Sequence, residues 1–178
     1  KIANMKNTLL ILVIVLSTLS SAFAQEMNKK YMDPKLDREV LIGYCNTDGL
    51  KDGDFGIHYN EQYSSYTPNS STISKLSSLI KEEDYKITTV FADWCGDSKT
   101  QVPRFYKVLN EIDFPEKNIK LIAVDRSKTA QELDITDYDI VRVPTFIIYL
   151  DNKELGRIIE TPKKSLEKDL LKIIKSSN

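Results

Sequence analysis

Of the chain's two cysteines, Cys45 and Cys95, Cys95 stands where a thiol can do chemistry. The run Ile87-Thr88-Thr89-Val90-Phe91-Ala92 is apolar and β-branched, which predicts a strand, and Trp94-Cys95-Gly96 follows it after one acidic residue. Val102, Phe105, Tyr106, Leu109 and Ile112 then recur at helical spacing. Cys95 therefore falls at a strand-to-helix junction, where backbone N–H groups lack intrahelical partners and the helix dipole is positive. A thiol in such a place is easier to ionise, and the thiolate is the nucleophile. Lowering a thiol pKa from about 8.5 to about 7 raises the thiolate fraction at neutral pH roughly fifteenfold. The lower intrinsic nucleophilicity takes back about fivefold. The gain in attack is thus only a few-fold, and the larger benefit is a better leaving group, which suits a residue that forms and then releases mixed disulfides.

The neighbours of Cys95 divide by what their side chains can contribute. Ser98 lies one helical turn on, where its hydroxyl can donate to a thiolate but cannot attack a mixed disulfide. Asp97 favours the helix dipole while its charge opposes a thiolate beside it. Asp93 reads as a solvated residue. Pro103, inside the helical pattern, predicts a kink. About forty residues after Pro103, Val143-Pro144-Thr145 opens another apolar strand, Phe146 to Leu150. Arg142 reads as a surface residue able to meet a substrate carboxylate, and His58 as packing or surface. Cys45 has two readings, a resolving thiol for Cys95 or a buried structural residue. Two cysteines and a single histidine are too few for a structural zinc site, and neither a metal nor a cofactor is expected.

Phe91-Ala92-Asp93-Trp94-Cys95-Gly96, Pro103 in the following helix, and Val143-Pro144-Thr145 occur in an order and at separations that resemble the thioredoxin superfamily. The resemblance covers roughly residues 70–178. It implies an α/β fold, a thioredoxin-like sandwich with a mixed central β-sheet flanked by helices. It also implies a cis Val143–Pro144 bond, a substrate groove made by Trp94, Gly96, Val143 and Pro144, and a site carried by Cys95 and Ser98. Two departures matter. The family has Cys-x-x-Cys where this chain has Cys95-Gly96-Asp97-Ser98, and it buries an acid where this chain has Thr89. The expected function is thiol–disulfide exchange through one cysteine, by mixed-disulfide or isomerase-type chemistry, on protein or small-molecule thiols and disulfides. The alternative is a non-catalytic module that holds peptides in the cis-proline groove.

The N-terminal segment reads as a signal peptide, residues 1–24. Lys6 precedes an apolar run from Leu9 to Leu16, and Ala22-Phe23-Ala24 supplies a small-x-small cleavage site. Cleavage after Ala24 predicts an exported protein, periplasmic or extracellular, with no stable membrane span after processing. Loss of Lys1 and Lys6 takes the formal charge from −1 to −3. There is no basic cluster to suggest nucleic acid.

Residues 25–69 read as an N-terminal extension packing on a domain that spans 70–178. Met27 to Arg38 looks loose, Val40-Leu41-Ile42 looks like a short strand or core edge, and Asn46 to Gly49 and Lys51 to Asp54 look like turns. Phe55, His58, Tyr59, Tyr63 and Tyr66 mark an aromatic-faced helix. One of Asn69, Ser70 or Ser71 caps the next helix, which carries Ile73, Leu76, Leu79 and Ile80. Strands follow at 87–92, 119–124, 146–150 and 154–159, the last two as a hairpin, with a short helix expected within 125–139. Thr161 and Pro162 are read as the start of the last helix.

Overall fold

A computed structural model describes residues 26–176. The expected cleavage after Ala24 lies outside the described residues. Among those residues no helix is long and apolar enough to cross a membrane.

The described chain forms a mixed α/β sandwich. It begins with a hairpin, β1 (Lys30–Asp33) and β2 (Arg38–Leu41), whose strands pair antiparallel with each other. Strand β3 (Gly43–Cys45) leads into α1 (Thr47–Lys51) and α2 (Gly53–Ser65). Helix α3 (Ser70–Ile80), strand β4 (Lys86–Phe91) and helix α4 (Gly96–Glu111) follow. Strand β5 (Ile119–Ala123), the hairpin β6 (Thr145–Leu150) and β7 (Lys153–Ile159), and α5 (Leu166–Lys175) complete it. The main sheet has the order β3-β5-β4-β6-β7. Strand β4 lies at its centre, parallel to β5 and antiparallel to β6. The β6–β7 loop is the pair Asp151-Asn152, both at positive φ, the backbone that a two-residue hairpin needs to match strand twist.

Successive residues of β4 point to opposite faces. Ile87 and Phe91 join the larger core with Leu76 of α3, Phe105 and Leu109 of α4 and Leu170 of α5. Val90 joins a smaller one with Ile122, Val124, Ala130, Ile135 and Val143. Helix α2 lies on α4. Phe55 meets the Phe91 ring edge-on at 5.4 Å, and Tyr59 meets Tyr106 at 6.4 Å. The aromatic stripe of α2 is therefore mainly a packing face.

Several boundaries differ from the sequence expectation, each for a local reason. Met27 to Arg38 contains β1 rather than a loose segment. Asn46 starts a helix instead of a turn, its side chain accepting from the N–H groups of Asp48 and Gly49. Asn69 is the residue that caps α3, accepting from Thr72 N–H at 3.0 Å. No α-helix forms within 125–139, which holds one 3-10 turn, Thr136–Tyr138. Asp125 takes the N–H groups of Ser127 and Thr129, and Asp134 takes that of Thr136. Such short-range bonds compete with helix. The last helix begins at Leu166 after Ser165, not at Pro162, because the Asp169 carboxylate draws in the N–H of Lys163 and the segment before Leu166 stays irregular. Pro103 sits inside α4, which continues through it to Glu111.

The α2–α3 connection is fixed to α5 by a buried carboxylate. Glu167 accepts from the Tyr66 hydroxyl at 2.7 Å, the Ser165 hydroxyl at 2.7 Å and Asn69 N–H at 3.3 Å. Burial pushes its pKa up, but these donors outweigh burial and hold it below its usual value. A depressed folded-state pKa gives stability that is present above the unfolded pKa, near 4.3, and is lost as pH falls through the folded value. Glu167→Ala is expected to cost about 2–3 kcal/mol in urea unfolding at pH 7. Its difference from wild type should shrink below about pH 4. An equal loss at pH 7 and pH 3 would show that the charge is not what matters.

Candidate active site

The site is built at the end of β4. Phe91 and Ala92 are buried, and the chain turns with Cys95 N–H donating to Ala92 C=O at 3.1 Å. Cys95 is the N-cap residue of α4, in extended conformation. It is half-buried, whereas Gly96 and Asp97 are exposed. Its Sγ lies 3.3 Å from the carbonyl oxygen of Val143. The Val143–Pro144 bond is cis, and Pro144 leads directly into β6. The pairing of β6 with β4, Thr145 opposite Val90, places that bend against the thiol. Cys95, Val143 and Pro144 are thus brought together from positions almost fifty residues apart.

Ser98 is fully buried, and its Oγ accepts from Ala92 N–H at 3.2 Å. That bond holds the turn before Cys95. The Trp94 indole N–H donates to Val124 C=O at 3.1 Å, and the Arg126 guanidinium lies over the ring at 5.2 Å. Thr89 is completely buried, and its hydroxyl has no hydrogen-bond partner among the described residues. Arg142 pairs with Glu160 at 2.8 Å and has a largely exposed side chain, and His58 is half-buried on α2. Lys99, in the first turn of α4, pairs with Asp54 of α2 at 2.6 Å. The hydrogen bond from Lys99 holds the Asp54 carboxyl below its usual range.

Cys45 is not brought to Cys95. In β3 it lies opposite Leu121 of β5, which lies opposite Thr89 of β4. Cys45 is therefore two strands from β4, about 9.6 Å sideways, and level with a residue that precedes the strand end. Cys95 leans the other way, toward Val143. A disulfide needs Cα atoms within about 7 Å. Both cysteines are free. Burial pushes the Cys45 thiol up to about 12. An open groove of about 410 Å³ is lined by Cys45 with Tyr44, Thr88, Lys120 and Tyr138, and its lining does not include Cys95.

Asp93 is the residue that sequence reasoning misplaced. It is 6% exposed, not solvated. Arg38 Nη2 donates to its Oδ1 at 3.1 Å, and Leu41 N–H donates to its Oδ2 at 3.1 Å. An acid between an apolar strand and Trp94 is a weak signal of burial, and nothing local names a partner 55 residues earlier. Asp33 of β1 is also buried. It accepts from Lys35 N–H at 2.8 Å and Leu36 N–H at 3.1 Å, and faces Arg126 Nε at 3.8 Å. Burial pushes its pKa up, and these partners bring it below the usual range. Among the described residues no group of three or more His, Cys, Asp or Glu side chains is placed to hold a metal ion.

Residues 70–175 match the family model described as Thioredoxin. The chain belongs to the thioredoxin family. It is similar to mitochondrial Thioredoxin-3 of Saccharomyces cerevisiae, with 28% identity over 115 residues, covering 64% of this chain and 84% of that one. Thioredoxin H2 of Arabidopsis thaliana is 31% identical over 98 residues, covering 53% of this chain and 67% of the other. A protein disulfide-isomerase of Aspergillus oryzae is 32% identical over 80 residues, which is 45% of this chain and 15% of that one. Among solved structures, that of the yeast mitochondrial thioredoxin 3 aligns with a TM-score of 0.37 at 23% identity, covering 65% of this chain and 98% of that one.

The two thiols should differ sharply in solution. A thiol with a pKa of about 12 is ionised to only about one part in 10⁵ at neutral pH. Brief treatment of the folded protein with iodoacetamide, followed by mass mapping, is expected to label Cys95 at least ~100-fold faster than Cys45. Preferential labelling of Cys45 would remove Cys95 as the candidate nucleophile.

Proposed function

We propose that this protein carries out thiol–disulfide exchange through the single cysteine Cys95. The observation that carries the reading is the half-exposed Cys95 thiol at the start of α4, against the Val143 carbonyl and the cis Val143–Pro144 bond, in a chain of the thioredoxin family. The Cys95 thiolate attacks one sulfur of a substrate disulfide. That S–S bond breaks, the leaving sulfur departs as a thiolate and takes a proton, and a Cys95–substrate mixed disulfide forms. A second thiolate, from the substrate or a small thiol, then attacks the substrate sulfur of the mixed disulfide, the bond to Cys95 breaks, and Cys95 leaves as the thiolate. Release within the substrate rearranges its disulfides with no net change in redox state. Release by an external thiol leaves the substrate in a mixed disulfide with that thiol, and a second external thiol then attacks the external sulfur, freeing the reduced substrate and the disulfide of the two external thiols. The distance from Cys45 supports an external or substrate-borne resolving thiol. We propose export as well, from the charged, apolar and small-residue order of residues 1–24. N-terminal sequencing of protein recovered from its host should then begin at Gln25.

Cys95→Ala is expected to abolish reactivation of a scrambled-disulfide substrate in a glutathione buffer, while Cys45→Ala retains it. Retained peptide binding with no turnover by wild type would favour the non-catalytic module. Ser98→Cys places a second thiol one turn from the first. It is expected to form a disulfide and to raise dithiol-dependent reduction of insulin at least ~10-fold, about 1.4 kcal/mol of barrier. Thiol counting before and after oxidation checks the new bond, and its absence together with unchanged turnover would sink the assignment.

A further inference from the structure

The β1–β2 hairpin pairs with no other strand of the described chain. Two strands alone are marginal in water, so contacts with the rest of the chain must seat the hairpin. Besides the Lys30–Asp52 ion pair at 2.7 Å, two polar routes lead from it to the two residues that precede Cys95. The first is Asp93, whose two carboxylate oxygens are both engaged by β2. Arg38 Nη2 lies 3.1 Å from Oδ1, Arg38 Nη1 lies 3.5 Å from Oδ2, and Leu41 N–H lies 3.1 Å from Oδ2. Burying a carboxylate without such partners is strongly unfavourable. Without Arg38 the Asp93 carboxylate keeps only the Leu41 N–H and loses its charge partner, which favours its exposure to water. The second route starts at Asp33 of β1, buried and facing Arg126 at 3.8 Å. Arg126 in turn covers one face of the Trp94 ring, and the Trp94 indole is tied to Val124.

We propose that the hairpin is a clamp on the thiol loop, with Arg38 acting through Asp93, and Asp33 through Arg126 and Trp94, as positioning residues for Cys95. The proposal rests on Cys95 being the reactive thiol. It gives the segment before residue 70 a task at the site: it sets where Sγ stands relative to the Val143 carbonyl. It also explains the residue type at position 38. Arginine presents a planar fork that can meet both oxygens of one carboxylate, and lysine offers a single point charge.

Trp94 is the chain's one tryptophan, so its fluorescence reports on this loop without any assay of turnover. The experiment uses the full chain and the variants Arg38→Ala, Arg38→Lys, Asp33→Asn and Lys35→Ala, each checked for native far-UV circular dichroism. The readouts are the rate of Cys95 alkylation by iodoacetamide and the quenching of Trp94 by acrylamide. Arg38→Ala should slow alkylation about fivefold or more and raise quenching about twofold, in proportion to the disruption of a charge-assisted bond. Arg38→Lys should recover part of both, and Asp33→Asn should raise quenching with a smaller effect on alkylation. Lys35→Ala, on the exposed hairpin loop, should match wild type. A folded Arg38→Ala protein with wild-type alkylation and quenching overturns the clamp, even if its melting temperature falls. Should Arg38→Ala not fold, wild-type values for both Arg38→Lys and Asp33→Asn overturn it equally. Wild type that alkylates at Cys95 but exchanges no disulfide removes the proposed function and leaves the clamp standing.

Discussion

Strand β4 is hydrogen-bonded on both edges, to β5 on one side and β6 on the other, and the site depends on that double constraint. A strand held on both sides cannot slide without breaking two ladders, and a shift of one residue would turn every side chain to the opposite face. Its end is therefore a fixed point. From it the chain reaches Cys95 in four residues, and the antiparallel pairing with β6 delivers Pro144 to the same end. The thiol and the backbone beside it are positioned by sheet register, before any side chain of the site contributes.

Side chains then complete what the sheet begins. Ser98 holds the Ala92 N–H, Lys99 reaches back to Asp54, and Asp93 is enclosed by Arg38 and Leu41. Three of these four attachments lead to residues before position 70. The helix carrying the thiol is thus anchored at its start to a part of the chain that the family match at residues 70–175 does not include. The buried network at Glu167 does the same at the opposite end of α2, so α2 is secured at both ends, to α4 and to α5.

What could be read from the sequence follows from how local each determinant is. The β4–α4 junction was legible because its signals are contiguous: a β-branched run, then apolar residues at helical spacing. The hairpin β6–β7 was legible because Asp151-Asn152 is a turn by its own chemistry. The cis bond at Pro144 came from resemblance and not from spacing. The segment from 125 to 139 reads as a short helix on a weak pattern, but Asp125 and Asp134 capture nearby N–H groups. Pro162 looked like a helix start, yet burial begins only at Leu166. The clamp at Asp93 lay out of reach, because a carboxylate gives no hint in its own neighbourhood that it will be buried by an arginine 55 residues away.

The sheet's two borders carry a consequence for life in a crowded solution. Open strand edges invite pairing between molecules, and natural sheets suppress it with short border strands, charge and coverage. One border here is β3, only three residues long and entered through Gly43 at φ +78. The other is β7, where Lys153, Glu154 and Arg157 interrupt the apolar pattern, and where the Arg157 guanidinium also caps the carbonyl of Tyr138 at 2.9 Å. A very short strand at one border and charged side chains at the other leave the sheet a poor template for added strands.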